Sequence, residues 1–160
     1  MLSRVHPVAG MIGFLTILIF WVSTAGSELL GSIDMIVAVK RTIPWGFLIL
    51  MPALAATGAS GFRMAGGASE PATIRKKRRM PIIAANGLVV LIPAGLALAA
   101  LASRREFGAL FYGVQAIELV AGAVNLTLMS LNIRDGLRLT GRLAGPEIKA
   151  RRTASGSRPQ

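Results

Sequence analysis

The chain has 160 residues, 53% of them hydrophobic and only 16% charged, yet it carries a formal net charge of +11. Soluble domains carry about 25% charged residues, so this composition, with a mean hydropathy of +0.61, points to a membrane chain whose cations are confined to loops and tails. There is no cysteine and a single histidine, His6, which excludes disulfides, thiolate zinc sites, iron–sulfur clusters, cysteine nucleophiles and an intrachain multi-histidine metal site.

Four apolar segments are predicted as helices: 8–24, 42–62, 81–103 and 107–131. Each reaches or approaches the ~20 residues that cross ~30 Å of hydrocarbon. Their apolar character runs all the way round, without the polar stripe of a soluble amphipathic helix, and a helix satisfies its own backbone in lipid. The predicted fold is all-α: a bundle of four transmembrane helices in one domain, 1–140, followed by a basic tail, 141–160, whose Gly, Pro, Ser and cations predict disorder.

Lysine and arginine set the expected orientation. Arg4, Arg63, the run Arg75, Lys76, Lys77, Arg78, Arg79 and seven cations from Arg134 onward make fourteen of the eighteen. With four spans they share one side; Lys40, Arg41, Arg104 and Arg105 fall on the other. Both termini are therefore expected in the cytoplasm of a bacterial inner membrane. Trp21, Trp45, Phe107, Phe111 and Tyr112 then cluster towards the outer interface, where aromatic rings favour the headgroup level.

In chain order, His6-Pro7 reads as a helix start with proline at the first helical position. Axial haem ligation through His6 is the alternative, and it would need a second chain or a methionine as partner. Segment 8–24 also fits a signal peptide ending at Ser23-Thr24-Ala25, but it exceeds the usual ~7–15-residue apolar core, and Trp21 suits a retained helix. Loop 26–41 reads either as a short amphipathic helix on the outer surface or as a continuation of the first span, with Glu28 able to meet Lys40 or Arg41 in an exposed pair. Loop 63–80, with Gly66-Gly67, Ser69 and Pro71, reads as a flexible connection. The basic run within it lacks interleaved aromatics, which speaks against nucleic acid; binding of anionic lipid headgroups is the simpler account. Pro52 and Pro93, in spans of opposite direction, hint at inverted pseudo-symmetry. Ala9/Gly13, Ala55/Ala59 and Ala109/Gly113 have the spacing of close helix contacts.

The last span holds the sharpest feature. Glu118, eleven residues in, falls about 16 Å deep at ~1.5 Å per residue, near the expected bilayer centre. A charged carboxylate there costs at least ~2.5 kcal/mol. Tyr112, Gln115, Glu118, Gly122 and Asn125 form a stripe read as the buried face, and Asn86 lies at the depth of Asn125, so the two could pair. The stripe is read as packing between helices, or else as a proton- or cation-handling path or a contact for a quinone-like ligand. Arg134 and Arg138, beyond the span, could grip headgroups.

No phosphate loop, metalloprotease helix or nucleophile elbow is present, and nothing specifies a cofactor. The sequence thus suggests a non-catalytic accessory or assembly subunit of a larger membrane complex, or a homo-oligomer. A small transporter or ion-coupling protein using Glu118 is the alternative, and a haem-binding electron carrier using His6 a second. The phrases VHPVAG, FWVSTAGSELLG, PALAATGASGF and GAVNLTLMSLNIRDGL resemble small four-helix inner-membrane proteins of proteobacteria, over residues 1 to about 143. The resemblance implies location and topology, and no biochemical role.

Overall fold

A computed structural model describes residues 2–64 and 71–139. The expected tail at 141–160 and the Gly66-Gly67-Ser69 stretch lie outside the described residues. Five α-helices follow in order: α1 Leu2–Leu30, α2 Ile33–Met64, α3 Pro71–Ala85, α4 Ile92–Ser103 and α5 Ala109–Leu139, with a π-helical segment, Asn86–Leu91, joining α3 to α4. Four stretches are long and apolar enough to cross a membrane: Val5–Leu30, Ile33–Gly61, Arg78–Ser103 and Ala109–Arg138. The architecture is two antiparallel hairpins, α1–α2 and α3/π/α4–α5, packed side by side. One end of the bundle carries both short turns and is termed the turn end. The other, the terminal end, holds the start of α1, the end of α2, the start of α3 and the end of α5.

Of the two readings of loop 26–41, the continuation of the first span is what forms at its start, and no separate surface helix follows. α1 continues to Leu30, only Gly31 and Ser32 are non-helical, and α2 starts at Ile33. Ser32 Oγ accepts the Met35 backbone N–H at 3.3 Å, capping α2 in the manner of a helix-start serine. A Cβ on Gly31 would run into the Ser27 carbonyl, so glycine permits the tight reversal. Both Glu28 and Lys40 therefore stand inside helices. At the other start, α1 begins at Leu2 with Pro7 in its interior, five residues earlier than expected.

The second hairpin also departs from expectation. Much of loop 63–80 is helical: α3 begins at Pro71, so the basic run Arg75–Arg79 lies on a helix. The π segment precedes Pro93, which lacks the N–H for a bond to Val89 and whose ring would clash with that carbonyl. The ladder widens instead, and the Ile92 N–H bonds the Gly87 carbonyl, five residues back. Pro52 sits in an uninterrupted α-helix, so the two prolines are not structural equivalents. At the α4–α5 turn Arg105 takes a left-handed φ of 58°. The Arg105 N–H bonds Ala102 O and the Glu106 N–H bonds Leu101 O, a helix stop usually built on glycine.

Polarity is distributed inside out. Ile19, Val22, Trp45, Leu48, Val89 and Val120 are exposed, while Thr24, Lys40, Gln115, Asn125 and Asp135 are buried. The apolar core is Ile17, Ile43, Phe47, Leu50, Ile83 and Met129, with a second cluster of Ile36, Leu98, Ala102 and Phe111 near the turns. Of the small-residue pairs, Ala9 and Gly13 are buried, Gly13 against Leu54. Ala55, Ala59, Ala109 and Gly113 face outward.

Candidate functional site

The buried stripe of α2 runs Ile36, Lys40, Ile43, Phe47, Leu50, Ala53. Its three- and four-residue steps keep one face of a helix turned inward, and Lys40 occupies one of those core positions. The ammonium, with 0% exposure, donates to Glu118 Oε2 at 2.6 Å, and Glu118 is 13% exposed. It also donates to Thr24 Oγ1 of α1 at 3.2 Å. Gln115 Nε2 donates to the same Glu118 oxygen at 3.4 Å. Three helices thus converge on one charge pair. Glu28, one turn beyond Thr24, interacts electrostatically with both Lys40 and Glu118. Its Oε1 and that of Gln115 are buried without a hydrogen-bond partner.

Below this pair lies a cavity of about 390 Å³. Ile17, Phe20, Ile43, Phe47 and Leu50 form much of its apolar wall; Thr24, Glu118 and Asn125 are polar groups on its lining. Met51 and Ala55 of α2 and Ala84 and Leu88 of the α3–π segment also line it and are exposed. The opening is therefore lateral, between α2 and the second hairpin, through the apolar flank of the bundle. The π segment contributes Gly87, Leu88 and Leu91 to the wall, in line with the frequent placement of π turns at functional sites. Trp21 donates from Nε1 to Leu119 O at 2.9 Å and lies against Gly122, where a Cβ would stand 2.9 Å from its ring. Trp21 is thus a half-buried wall of the cavity.

The expected polar face of α5 divides. Gln115, Glu118, Gly122 and Asn125 turn inward, but Tyr112 is 51% exposed. Two three-residue steps at ~100° per residue leave Tyr112 ~120° round the helix from Glu118, and Phe111 takes the inward position with 0% exposure. Phe111 makes edge-on contacts with Phe107 and Tyr112, at centroid distances of 4.9 and 5.3 Å. Glu118 stands nine residues after Ala109 and twenty-one before Leu139. At ~1.5 Å per residue it lies ~14 Å from the turn end of α5 and ~31 Å from the other. The middle of the helix falls beside Asn125 instead. The shift arises because α5 continues eight residues past Leu131, its core face kept satisfied by a partner for Asp135.

That partner is Arg79, the last of the basic run. Its Nη1 lies 2.8 Å from Asp135 Oδ2 and 3.5 Å from Asn132 Oδ1, so it joins α3 to α5 rather than standing free for headgroups. Arg78 is exposed; Arg75, Lys76 and Lys77 lie on α3 with side chains outside the described set. Arg134 is 3.8 Å from Asp135, and Arg138 is exposed. Asn86 Nδ2 donates to Asn125 Oδ1 at 2.9 Å and to Ala121 O at 2.8 Å. His6 does not line the cavity. Its Nδ1 lies 3.1 Å from both Thr57 O and Ser60 Oγ, near Gly61, where a Cβ would crowd its ring.

Lys40 is absent from the predicted site because the predicted first loop, 26–41, takes in residues that form the start of α2, and Thr24, inside the predicted first span, carries no spacing signal of its own. For Lys40 the signal was present: the spacing of Ile43, Phe47 and Leu50, carried back by three and four residues, lands on Lys40 and Ile36. Among the described residues no group of three or more His, Cys, Asp or Glu could hold a metal ion. A scan of protein-family models, a search of curated proteins and a search of solved structures each gave no match to this chain.

Proposed function

We propose that this chain is a multi-pass membrane protein, both termini cytoplasmic, that holds a small lipid-phase molecule in the cavity beneath Lys40 and Glu118. Membrane residence is supported by the inside-out polarity: many exposed Ile, Val, Leu and Trp side chains surround the bundle, where a soluble monomer rarely exposes a large contiguous apolar patch, and buried polar groups face one another, as they do in lipid. Orientation is supported by the lysine and arginine count, which becomes more lopsided once Lys40 leaves the loop for the helix interior.

The observation that carries the ligand reading is the cavity itself. It has an apolar lining, a lateral opening on the apolar flank and a charge pair at its closed end. Apolar pockets with a few convergent polar groups are the common form of small-molecule sites. α1 supplies Ile17, Phe20, Trp21 and Thr24 to it, so the site needs the first span retained in the mature protein. The sequence-based alternatives gain less. A transport path through Glu118 would have to break its bonds to Lys40 and Gln115 at each turnover, and His6 is tied down at the terminal end.

Purification in mild detergent followed by extraction and mass spectrometry tests the reading. One small amphipathic molecule should co-purify at a near-stoichiometric level. It should be lost in Gly58→Leu, because Gly58 lines the cavity and a Cβ there meets nothing within 4 Å. Retention of the same molecule in that variant would place it elsewhere and refute the reading.

A further inference from the structure

The polar groups of Thr24 and Glu118 on the cavity lining are bonded in a particular way. Both donors to Glu118, Lys40 Nζ and Gln115 Nε2, land on Oε2. Oε1 has neither; it faces Gly95, 3.6 Å from where a Cβ on that glycine would stand. Thr24 is exceptional in the opposite sense. Thr16, Thr42, Thr57 and Thr127 each donate their hydroxyl to the carbonyl four residues back, as threonines in membrane helices commonly do. Thr24 instead turns its Oγ1 to accept from Lys40, so its hydroxyl proton has no carbonyl of its own helix. Thr24 and Glu118 both line the cavity. The apolar space therefore ends in a carboxylate that can accept and a hydroxyl that can donate.

From this pairing we infer that the ligand is a neutral lipid bearing a terminal hydroxyl, such as a long-chain or prenyl alcohol or a quinol-type phenol. The inference rests on the cavity being a lipid-phase ligand site. The hydroxyl donates to Glu118 Oε1 and accepts from Thr24, and the hydrocarbon body fills the space towards Leu50 and Leu88. An anionic headgroup fits poorly, because it would meet the Glu118 carboxylate while Lys40 is already 2.6 Å from that group. A bare hydrocarbon fits poorly too, because it offers nothing to the polar groups of Thr24 and Glu118 on the lining. Size agrees: about 390 Å³ is well over twice the ~150 Å³ that holds benzene in an engineered cavity, enough for a chain segment whose remainder leaves by the lateral opening.

The test uses the full chain in phosphatidylcholine nanodiscs and three photoreactive probes of equal chain length: a dodecanol, a dodecane and a dodecylsulfonate. The readout is the mass-spectrometric yield of adducts on cavity-lining residues of α2 and of the π segment. Dodecanol should label these residues about tenfold more than either other probe, an affinity ratio equivalent to about 1.4 kcal/mol. The preference should disappear in Thr24→Val with dodecane labelling unchanged, and persist in Thr24→Ser. Equal labelling by dodecanol and dodecane would overturn the hydroxyl assignment and leave the cavity reading standing; preferential labelling by the sulfonate would overturn it in favour of an anion. If no probe labels the cavity residues, the ligand reading itself fails. The probe comparison is made on the unaltered sequence, so it does not depend on any variant folding.

Discussion

Two ion pairs tie α2 to the second hairpin, and they lie only six residues apart along that helix. Asp34 meets Arg105 at the turn end with side chains 77% and 62% exposed; Lys40 meets Glu118 one to two turns deeper with 0% and 13%. The chemistry is similar, but the surroundings reverse its consequences. The outer pair sits among exposed residues, where such contacts contribute ~0–1 kcal/mol. The inner pair is bounded by apolar walls, where breaking one partner costs ~3–5 kcal/mol, while replacing both with well-packed apolar residues is often neutral or stabilising. A buried pair is therefore weak grounds for stability in itself, and its place at the closed end of a cavity is the better account of it.

The contrast can be broken most sharply from inside. Lys40→Met leaves the Glu118 carboxylate buried without its cation, and should lower stability by ~3–5 kcal/mol, read as a large drop in thermal unfolding temperature in detergent. The double variant Lys40→Met/Glu118→Met should regain most of that loss. A double variant as unstable as the single one would contradict the assignment of the cost to the lone charge. Next in size is the Arg79–Asp135 pair at the terminal end, 18% and 1% exposed. Asp135→Asn removes a charged acceptor from a buried position and should cost ~1–3 kcal/mol in the same unfolding measurement. Asn86→Leu loses an amide contact between helices, with an expected cost near the ~0.6 kcal/mol average for such contacts and at most ~1.7. The outer pair should give the smallest change. Arg105→Gly abolishes the contact with Asp34 but relieves a left-handed backbone that glycine adopts without strain, so unfolding should shift by less than ~0.5 kcal/mol in either direction. A loss above ~2 kcal/mol would show that exposure does not separate the two pairs.

Much of the bundle could be read from the sequence, because length and uniform apolarity decide where a helix suited to lipid can form. The four long apolar helices and the inward turn of Gln115, Glu118 and Asn125 follow from such periodicity. The ends were not legible. Charged residues usually mark loops, so Glu28, Lys40 and Arg79 fall outside the predicted spans; in the fold each lies within a helix, and Lys40 and Arg79 are paired with Glu118 and Asp135 of α5. Those pairings depend on which face of a neighbouring helix stands opposite, which spacing within one segment does not encode. Tyr112 failed for a different reason: repeated three-residue steps drift around a 3.6-residue helix, and the drift favoured Phe111. The cavity lay beyond the sequence altogether, since it is a gap between α2 and the second hairpin rather than a property of either.

Lipid-to-protein nuclear Overhauser effects in nanodiscs test the central claim most directly. Ile43 and Leu50 are 4% and 6% exposed and line the cavity, whereas Leu48 and Val89 are on the outer surface. Occupancy by a lipid-phase molecule predicts transfer from its methylene protons to the methyls of Ile43 and Leu50 as well as to the outer methyls, with the inner transfer lost in Gly58→Leu. Transfer confined to Leu48, Val89 and other outer methyls in the unaltered protein would contradict it.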